Sequence, residues 1–559
     1  MHALFIAGLV AVTLGAAGAL AGVGPVHDVD AAMDEYPRRI GIDIENYRFA
    51  LTLRDDSDVI EGRATVSVRF TKAGITELLL DLVGANGEGR GMTVTSVELA
   101  GRPLDFTHEL DLLRISLLDV AQVGATLNVT VSYYGVPVSG LHAGPNKHGD
   151  RTFFSDNWPN RARNWLPTID HPYDKAMSEM VVTAPAHYQV VSNGLLVEET
   201  DGADGTRVTH WKQSVPIATW LYVLGVAEFA VQHVDDFRGL PIQTWVYRQD
   251  RDEGFYDFAV PTKQVMEFYA DHVGPYAYER LANITSPVTG GGMEAATAIM
   301  YHENSVTGDR TVRWRNVIIH EIAHQWFGNA VTESDWDDVW LSEGFATYFT
   351  LLFIEHAYGR DEFVDGLQSS AGRVFTQYES NPSYRIVHDD LDDMSRVSSG
   401  ATYQKGSWIL HMLRGRMGDE TFWAGIRAYY ARYMNQNATT SDFQAAMEEA
   451  SGLDLQTFFD QWLRHGGNPK LQGWWNYDAS AGAVRIELSQ TQTVGPMFEM
   501  PLEIGIYHGG QVLPTTIERV DVDGGFHRFV ILVDVEPTDV RLDPNSWTLF
   551  EADFGRQGR

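Results

Sequence analysis

The sequence predicts a multidomain α+β protein with an N-terminal antiparallel β domain, a mostly helical middle domain and a C-terminal β-sandwich. Three observations predict it. At 559 residues the chain exceeds what one hydrophobic core usually serves, so two to four domains are expected. Strand-like period-two alternation runs over about 47–227, and from about 234 longer helical patterns replace it. Past the turn-rich Gly466-Gly467-Asn468-Pro469 segment, alternation resumes.

Taken in order, residues 3–23 are apolar and end in Ala19-Leu20-Ala21, a small-x-small pattern, so residues 1–21 are expected to be a secretory signal peptide. Its competing reading is an uncleaved membrane anchor, for which its alanine and glycine content is poorly suited. The protein is therefore expected to be exported, periplasmic or extracellular, and attached to a membrane only if this segment is retained. Residues 30–233 form the β domain: Ala64, Val66, Val68 and Phe70 alternate with Thr65, Ser67 and Arg69, and Leu127, Val129, Val131 and Tyr133 alternate with Asn128, Thr130 and Ser132. Residues 234–467 carry helical patterns over 260–273, 311–327, 339–357, 406–416 and 421–434. Residues 468–559 return to short alternating segments such as Val484, Ile486 and Leu488, which suggests a small sandwich.

Composition narrows the function. The formal charge is −33, from 42 basic and 75 acidic residues, which argues against nucleic acid or an anionic membrane as a partner because either needs basic patches. The acidity reads first as a solvated, aggregation-resistant surface and second as an attraction for cationic peptide N-termini. With no cysteine the chain has neither disulfides nor thiolate metal ligands.

The most specific feature is His320-Glu321-Ile322-Ala323-His324, followed nineteen positions after His324 by Glu343. On a helix, histidines four apart project from one face about 6 Å apart at Cβ, which suits a chelate. Glu321 lies about 100° round the helix from His320, out of the chelating direction but close enough to act on a bound water as a general base. The same pattern also occurs on ordinary amphipathic helices with solvated histidines. Here, however, Val317, Ile318, Ile319, Ile322, Ala323, Trp326 and Phe327 make the segment largely apolar, and ionisable groups inside it need a cation or hydrogen bonds to offset desolvation. Gly328-Asn329 signals the end of that helix, and an acidic run, Glu333, Asp335, Asp337 and Asp338, leads to a second helix bearing Glu343 near its first turn. His320, His324 and Glu343 are thus expected to bind one Zn2+ per chain, leaving a coordination position at which water acquires a pKa of about 7. Such a site hydrolyses bonds.

These residues, with the following Gln325-Trp326-Phe327-Gly328-Asn329-Ala330-Val331-Thr332 and Trp340-Leu341-Ser342-Glu343-Gly344-Phe345-Ala346, resemble the gluzincin zinc aminopeptidases, the family of aminopeptidase N and leukotriene hydrolase. Upstream, Gly291-Gly292-Met293-Glu294 resembles the family's exopeptidase motif, and downstream Thr402-Tyr403-Gln404-Lys405-Gly406 resembles the segment with its catalytic tyrosine. The resemblance runs from about residue 40 to 559. It implies a thermolysin-like catalytic domain between β domains, Glu294 as the ligand of the substrate's free α-amino group, Gly291, Gly292 and Met293 as further substrate contacts, and Tyr403 as donor to the tetrahedral intermediate. It further implies peptide substrates with a free N-terminus, with neutral or basic first residues expected. The alternatives are an epoxide hydrolase or endopeptidase on the same fold, or a binding protein without catalysis.

Three places depart from the commoner family pattern. Ala295 replaces a frequent asparagine, and Thr350 replaces a carboxylate that orients a ligand imidazole, for which Asp337 and Asp338 are the substitutes to consider. A β-domain glutamine that contacts the substrate's amino end has no clear equivalent, Asn157 and Asn160 being candidates. The Asp174-Lys175-Ala176 segment fits the family alignment without an assignable chemistry, and His302, His356 and His411 lack ligand spacing and read as structural.

Overall fold

The computed structural model describes residues 34–558, so the expected signal peptide lies outside the described residues. The N-terminal region is built on an eight-stranded sheet in the order Leu195–Asp201, Thr206–Ile217, Ala176–Pro185, Ile42–Arg54, Ser57–Phe70, Thr126–Val136, Gly91–Leu99 and Arg102–Pro103. The alternation read from the sequence is the alternation of its two faces: Ala64, Val66, Val68, Val129 and Val131 are buried, with polar neighbours turned outward. One pairing is not antiparallel. Ile42–Arg54 runs parallel to Ala176–Pro185, with Asn46 opposite Met177, because the intervening chain leaves this sheet and builds strands of two smaller sheets before returning. Tyr47, Phe49, Phe154, Trp165 and Trp220 fill the core beneath it.

The middle region opens with a mixed five-stranded sheet ordered Phe229–Phe237, Leu240–Tyr247, Leu281–Ser286, Ala298–His302 and Gly292–Met293. Among the described residues the short Gly292–Met293 strand pairs only with Ala298–His302, which leaves its other edge open there. The helices are α1 (Arg251–Phe258), α2 (Thr262–His272), α3 (Val312–His324), α4 (Trp340–Tyr358), α5 (Arg360–Ser380), α6 (Gly400–Met417), α7 (Asp419–Tyr433), α8 (Thr440–Ser451) and α9 (Gln456–Leu463). α4 is buried along almost all of its first four turns, with Phe345 and Phe349 packing against Phe327 and Trp340 against Phe345, which fits a sequence apolar on most sides. α4 and α6 cross where glycine faces glycine: a Cβ on Gly344 would lie 3.0 Å from the Cα of Gly406. That close approach sets Glu343 beside Tyr403.

The C-terminal region is a small sandwich. A four-stranded sheet, Phe526–Leu532, Ala483–Gln490, Lys470–Asp478 and Glu551–Arg556, faces a three-stranded one, Thr516–Val522, Met500–Tyr507 and Asp539–Leu542. Trp475, Val484, Ile486, Ile504 and Ile506 pack between them. Among the described residues no helix is long and apolar enough to cross a membrane.

Candidate metal centre

α3 carries His320 and His324 on one face, and the first turns of α4 bring Glu343 opposite them. The two Nε2 atoms are 3.1 Å apart, and Glu343 Oε2 lies 3.4 Å from His320 Nε2 and 3.3 Å from His324 Nε2. Donors on a tetrahedron with ordinary zinc–nitrogen and zinc–oxygen lengths sit about 3.3 Å from one another. Glu343 Oε2 is buried and receives no hydrogen bond, an orphaned acceptor that a cation would satisfy. Both the donor set and its spacing therefore fit zinc.

His324 is locked from behind. Its Nδ1 lies 3.2 Å from the Phe327 carbonyl and 3.1 Å from Ser342 Oγ, so a proton on Nδ1 donates to the carbonyl and Nε2 is turned toward Glu343, where zinc would take the place of its proton. Gly328 makes this possible: its φ is +107°, and a Cβ there would fall 2.2 Å from Ser342 Oγ. The orienting contacts are therefore Phe327 and Ser342, not the substitutes considered from the sequence. Asp338 is held by Thr440, and the Thr350 hydroxyl donates to the Ala346 carbonyl at 2.7 Å.

Glu321 is buried against the glycine strand, where a Cβ on Gly292 would lie 2.2 Å from its carboxyl carbon. The three glycines therefore have different uses. Gly292 makes room for Glu321, whereas a Cβ on Gly290 or Gly291 would meet nothing within 4 Å. Met293 is buried, and the Gly291 carbonyl accepts from His302 N at 2.8 Å.

Glu294 follows on this edge. Its backbone carbonyl accepts from Gln325 Nε2 at 2.9 Å and Asn329 Nδ2 at 2.6 Å, while its carboxylate Oε1 is buried without a donor. Donor atoms of Glu294, Glu321 and His324 all lie within 4.8 Å of one another. Tyr403 completes the ring: its hydroxyl donates to Glu343 Oε1 at 2.7 Å, and its ring stacks 6.2 Å from His320.

Electrostatics follow from burying so many carboxylates together. Burial pushes Glu294 up to about 7; His324 opposes that rise, whereas the charges of Glu343 and Asp156 reinforce it. Burial, then Glu294 and Glu343, also raise Glu321 well above the ordinary carboxylate range. Glu343 goes the other way: burial would raise it, but the charge of His324 and its contacts with both imidazoles hold it low. A dication among these groups would favour their charged forms, the state a general base needs.

Among the candidates for the missing glutamine, Asn157 is excluded by its bonds. Its Nδ2 donates to the Tyr222 carbonyl at 2.7 Å and its Oδ1 accepts from Trp165 Nε1 at 2.9 Å. The preceding residue, Asp156, has a carboxylate 2.8 Å from Arg161, and its charge acts on Glu294. Asp156 was not legible as a site residue, since only packing between the β-rich and helical regions brings its charge near Glu294. A second acidic group, Asp34, His171 and Asp335, also clusters within 4.8 Å, but the Arg38 guanidinium already bonds His171 and Asp335, so that cluster holds its own cation. His411 is structural as expected, buried between Tyr348 and the Ser546 carbonyl, at 3.1 and 2.8 Å.

Comparison with known proteins places these features. Residues 258–462 match the Peptidase family M1 domain and residues 44–221 the Peptidase M1 N-terminal domain. Human glutamyl aminopeptidase is 33% identical over 330 residues, 57% of this chain and 34% of that protein. A probable aminopeptidase 2 from Sulfurisphaera tokodaii is 30% identical over 322 residues, 55% of this chain and 40% of that one. The chain thus spans about a third of the length of the curated relatives it first matches. In fold it is similar to an M1 zinc metallopeptidase from Deinococcus radiodurans, with a TM-score of 0.65, 23% identity, and coverage of 76% of this chain and 93% of the other. The β-rich region and the helical region that carries the metal centre match domains of one family, and the chain belongs to peptidase family M1.

Proposed function

We propose that the protein is a zinc-dependent aminopeptidase that removes the N-terminal residue from peptides. The observation that carries this reading is Glu294: a buried carboxylate with an unpartnered oxygen, within 4.8 Å of both Glu321 and His324. An α-ammonium bound there stops the chain one residue from the scissile bond. The names of the relatives agree, as does a D. radiodurans M1 variant solved with a Tyr-Ser-Ala substrate, 24% identical to this chain with a TM-score of 0.66.

His320, His324 and Glu343 would hold the zinc. When bound, zinc supplies Lewis acidity that polarises the substrate carbonyl and acidifies a water. An extended peptide adds along the open edge of Gly292–Met293, with its amino terminus halted at Glu294. Glu321 accepts a proton as the water oxygen bonds to the carbonyl carbon, and passes it to the leaving nitrogen as the C–N bond breaks. During the attack, before the C–N bond breaks, Tyr403 turns its hydroxyl from Glu343 to the developing oxyanion, a donor worth about 3 kcal/mol in comparable sites. Carboxylates around the amino end, Glu294 and Asp156, favour neutral or basic first residues over acidic ones.

The test is hydrolysis of leucine p-nitroanilide against its N-acetylated form. Turnover of the free amine alone supports the reading; equal hydrolysis of the blocked substrate indicates an endopeptidase and refutes it. Export is proposed from the apolar 3–23 sequence alone, and the N-terminal sequence of secreted material tests it.

A further inference from the structure

Asp174-Lys175-Ala176 has no place in the mechanism above, yet Lys175 reaches directly behind it. The residue precedes the Ala176–Pro185 strand of the N-terminal sheet, and its ammonium crosses into the helical region. There Nζ lies 3.0 Å from the Asn329 carbonyl, 3.1 Å from the Ala330 carbonyl and 3.4 Å from the Gln436 carbonyl. Three acceptors match the three donors of an ammonium. Two of them belong to the turn that ends α3, and the side chain of that same Asn329 donates at 2.6 Å to the backbone carbonyl of Glu294. Asn329 is fully buried, and its amide is one of two side-chain donors, with Gln325 Nε2 at 2.9 Å, that hold the Glu294 carbonyl. A continuous path therefore runs from the β-rich region, through one lysine and one asparagine, to the residue that meets the substrate's amine.

We propose that Lys175 is a positioning residue for Glu294: by gripping the Asn329–Ala330 turn it fixes the amide that places the amino-end carboxylate, coupling recognition of the substrate's amine to the packing of the two regions. This rests on the aminopeptidase reading. The ligand side chains and Glu321 are braced by Phe327, Ser342, Tyr403 and Gly292, none of which Lys175 touches; the gripped turn meets the metal ligands only through the Asn329 N–H, which donates to the His324 backbone carbonyl at 3.1 Å. Loss of Lys175 thus acts on binding of the amine rather than on the chemical step.

Lys175→Met and Lys175→Arg are compared with wild type on leucine p-nitroanilide, with inhibition by leucinamide, which carries the amine, and by acetohydroxamate, which is directed to the metal and carries none. For Lys175→Met we expect KM to rise at least tenfold with kcat within threefold, leucinamide to weaken in parallel, and acetohydroxamate to bind as before. An unchanged KM, or equal weakening of both inhibitors, overturns the proposal. Should Lys175→Met fail to fold, Lys175→Arg decides: its planar fork cannot reproduce the three-way grip, so KM rises at least threefold at near wild-type kcat, and a wild-type KM overturns the proposal. Wild-type protein without turnover of any aminoacyl substrate refutes the aminopeptidase reading, and this inference with it, before any variant is made.

Discussion

Replacing Gly292 by alanine tests the placement of Glu321 without replacing a metal ligand or an ionisable group. The added Cβ would stand 2.2 Å from both the carboxyl carbon and Oε1 of Glu321, and 2.4 Å from its Cγ. Restoring an ordinary contact of about 3.4 Å moves the carboxylate by roughly 1.2 Å, since it is the free end of a side chain and yields before the paired Gly292–Met293 strand. Misplacement by about 1 Å costs on the order of 10²-fold in rate, and complete loss of a general base costs about 10²–10⁴-fold. We therefore expect kcat of Gly292→Ala to fall by about 10²–10⁴, equivalent to about 3–5 kcal/mol of barrier. Saturation kinetics on leucine p-nitroanilide measure it, alongside zinc content by elemental analysis. One zinc per chain with kcat within threefold of wild type would refute the assignment of Glu321 as proton carrier in this geometry.

Other expectations follow from particular contacts. Ser342→Ala removes the hydroxyl 3.1 Å from His324 Nδ1 and should weaken zinc affinity about 10–100-fold in competition with a chelator; unchanged affinity would leave orientation to the Phe327 carbonyl alone. Tyr403→Phe should lower kcat about 10²–10³-fold with KM little altered, and a variant losing only affinity would assign the hydroxyl to substrate binding. Asp337 is raised to about 9 by burial and then by Asp338 and Asp335, so its protonated form favours folding at low pH and that contribution is lost as pH rises through about 9. Asp337→Asn should accordingly unfold at a higher temperature than wild type, with an advantage growing from pH 5 to pH 9 and reaching on the order of 1–3 kcal/mol; equal melting across that range contradicts it.

The sequence exposed those parts of the site that depend on spacing along one helix. His320 and His324 share a face because four residues make about one turn, and Glu321 leaves that face for the same reason. Residues approaching from another element were legible only through motif resemblance, as with Glu294 and Tyr403, because nothing local shows that Gly344 and Gly406 let α4 and α6 approach so closely. Ser342 was invisible: it lies eighteen residues from His324, and their contact depends on the left-handed backbone of Gly328 between them rather than on any acidic residue. Asp156 and Lys175 act across the meeting of two regions, where sequence pattern carries no register. In the fold, alternation gave the faces of the strands, but the parallel pairing of Ile42–Arg54 with Ala176–Pro185 depends on how the chain returns to the sheet, which periodicity does not encode.

The most direct measurement is a zinc titration of metal-stripped protein, reading hydrolysis of leucine p-nitroanilide at each addition. Activity should rise linearly and level off at one zinc per chain, and a His324→Ala variant should stay inactive throughout. Full activity without metal, or a His324→Ala variant restored by stoichiometric zinc, would contradict a centre built from His320, His324 and Glu343.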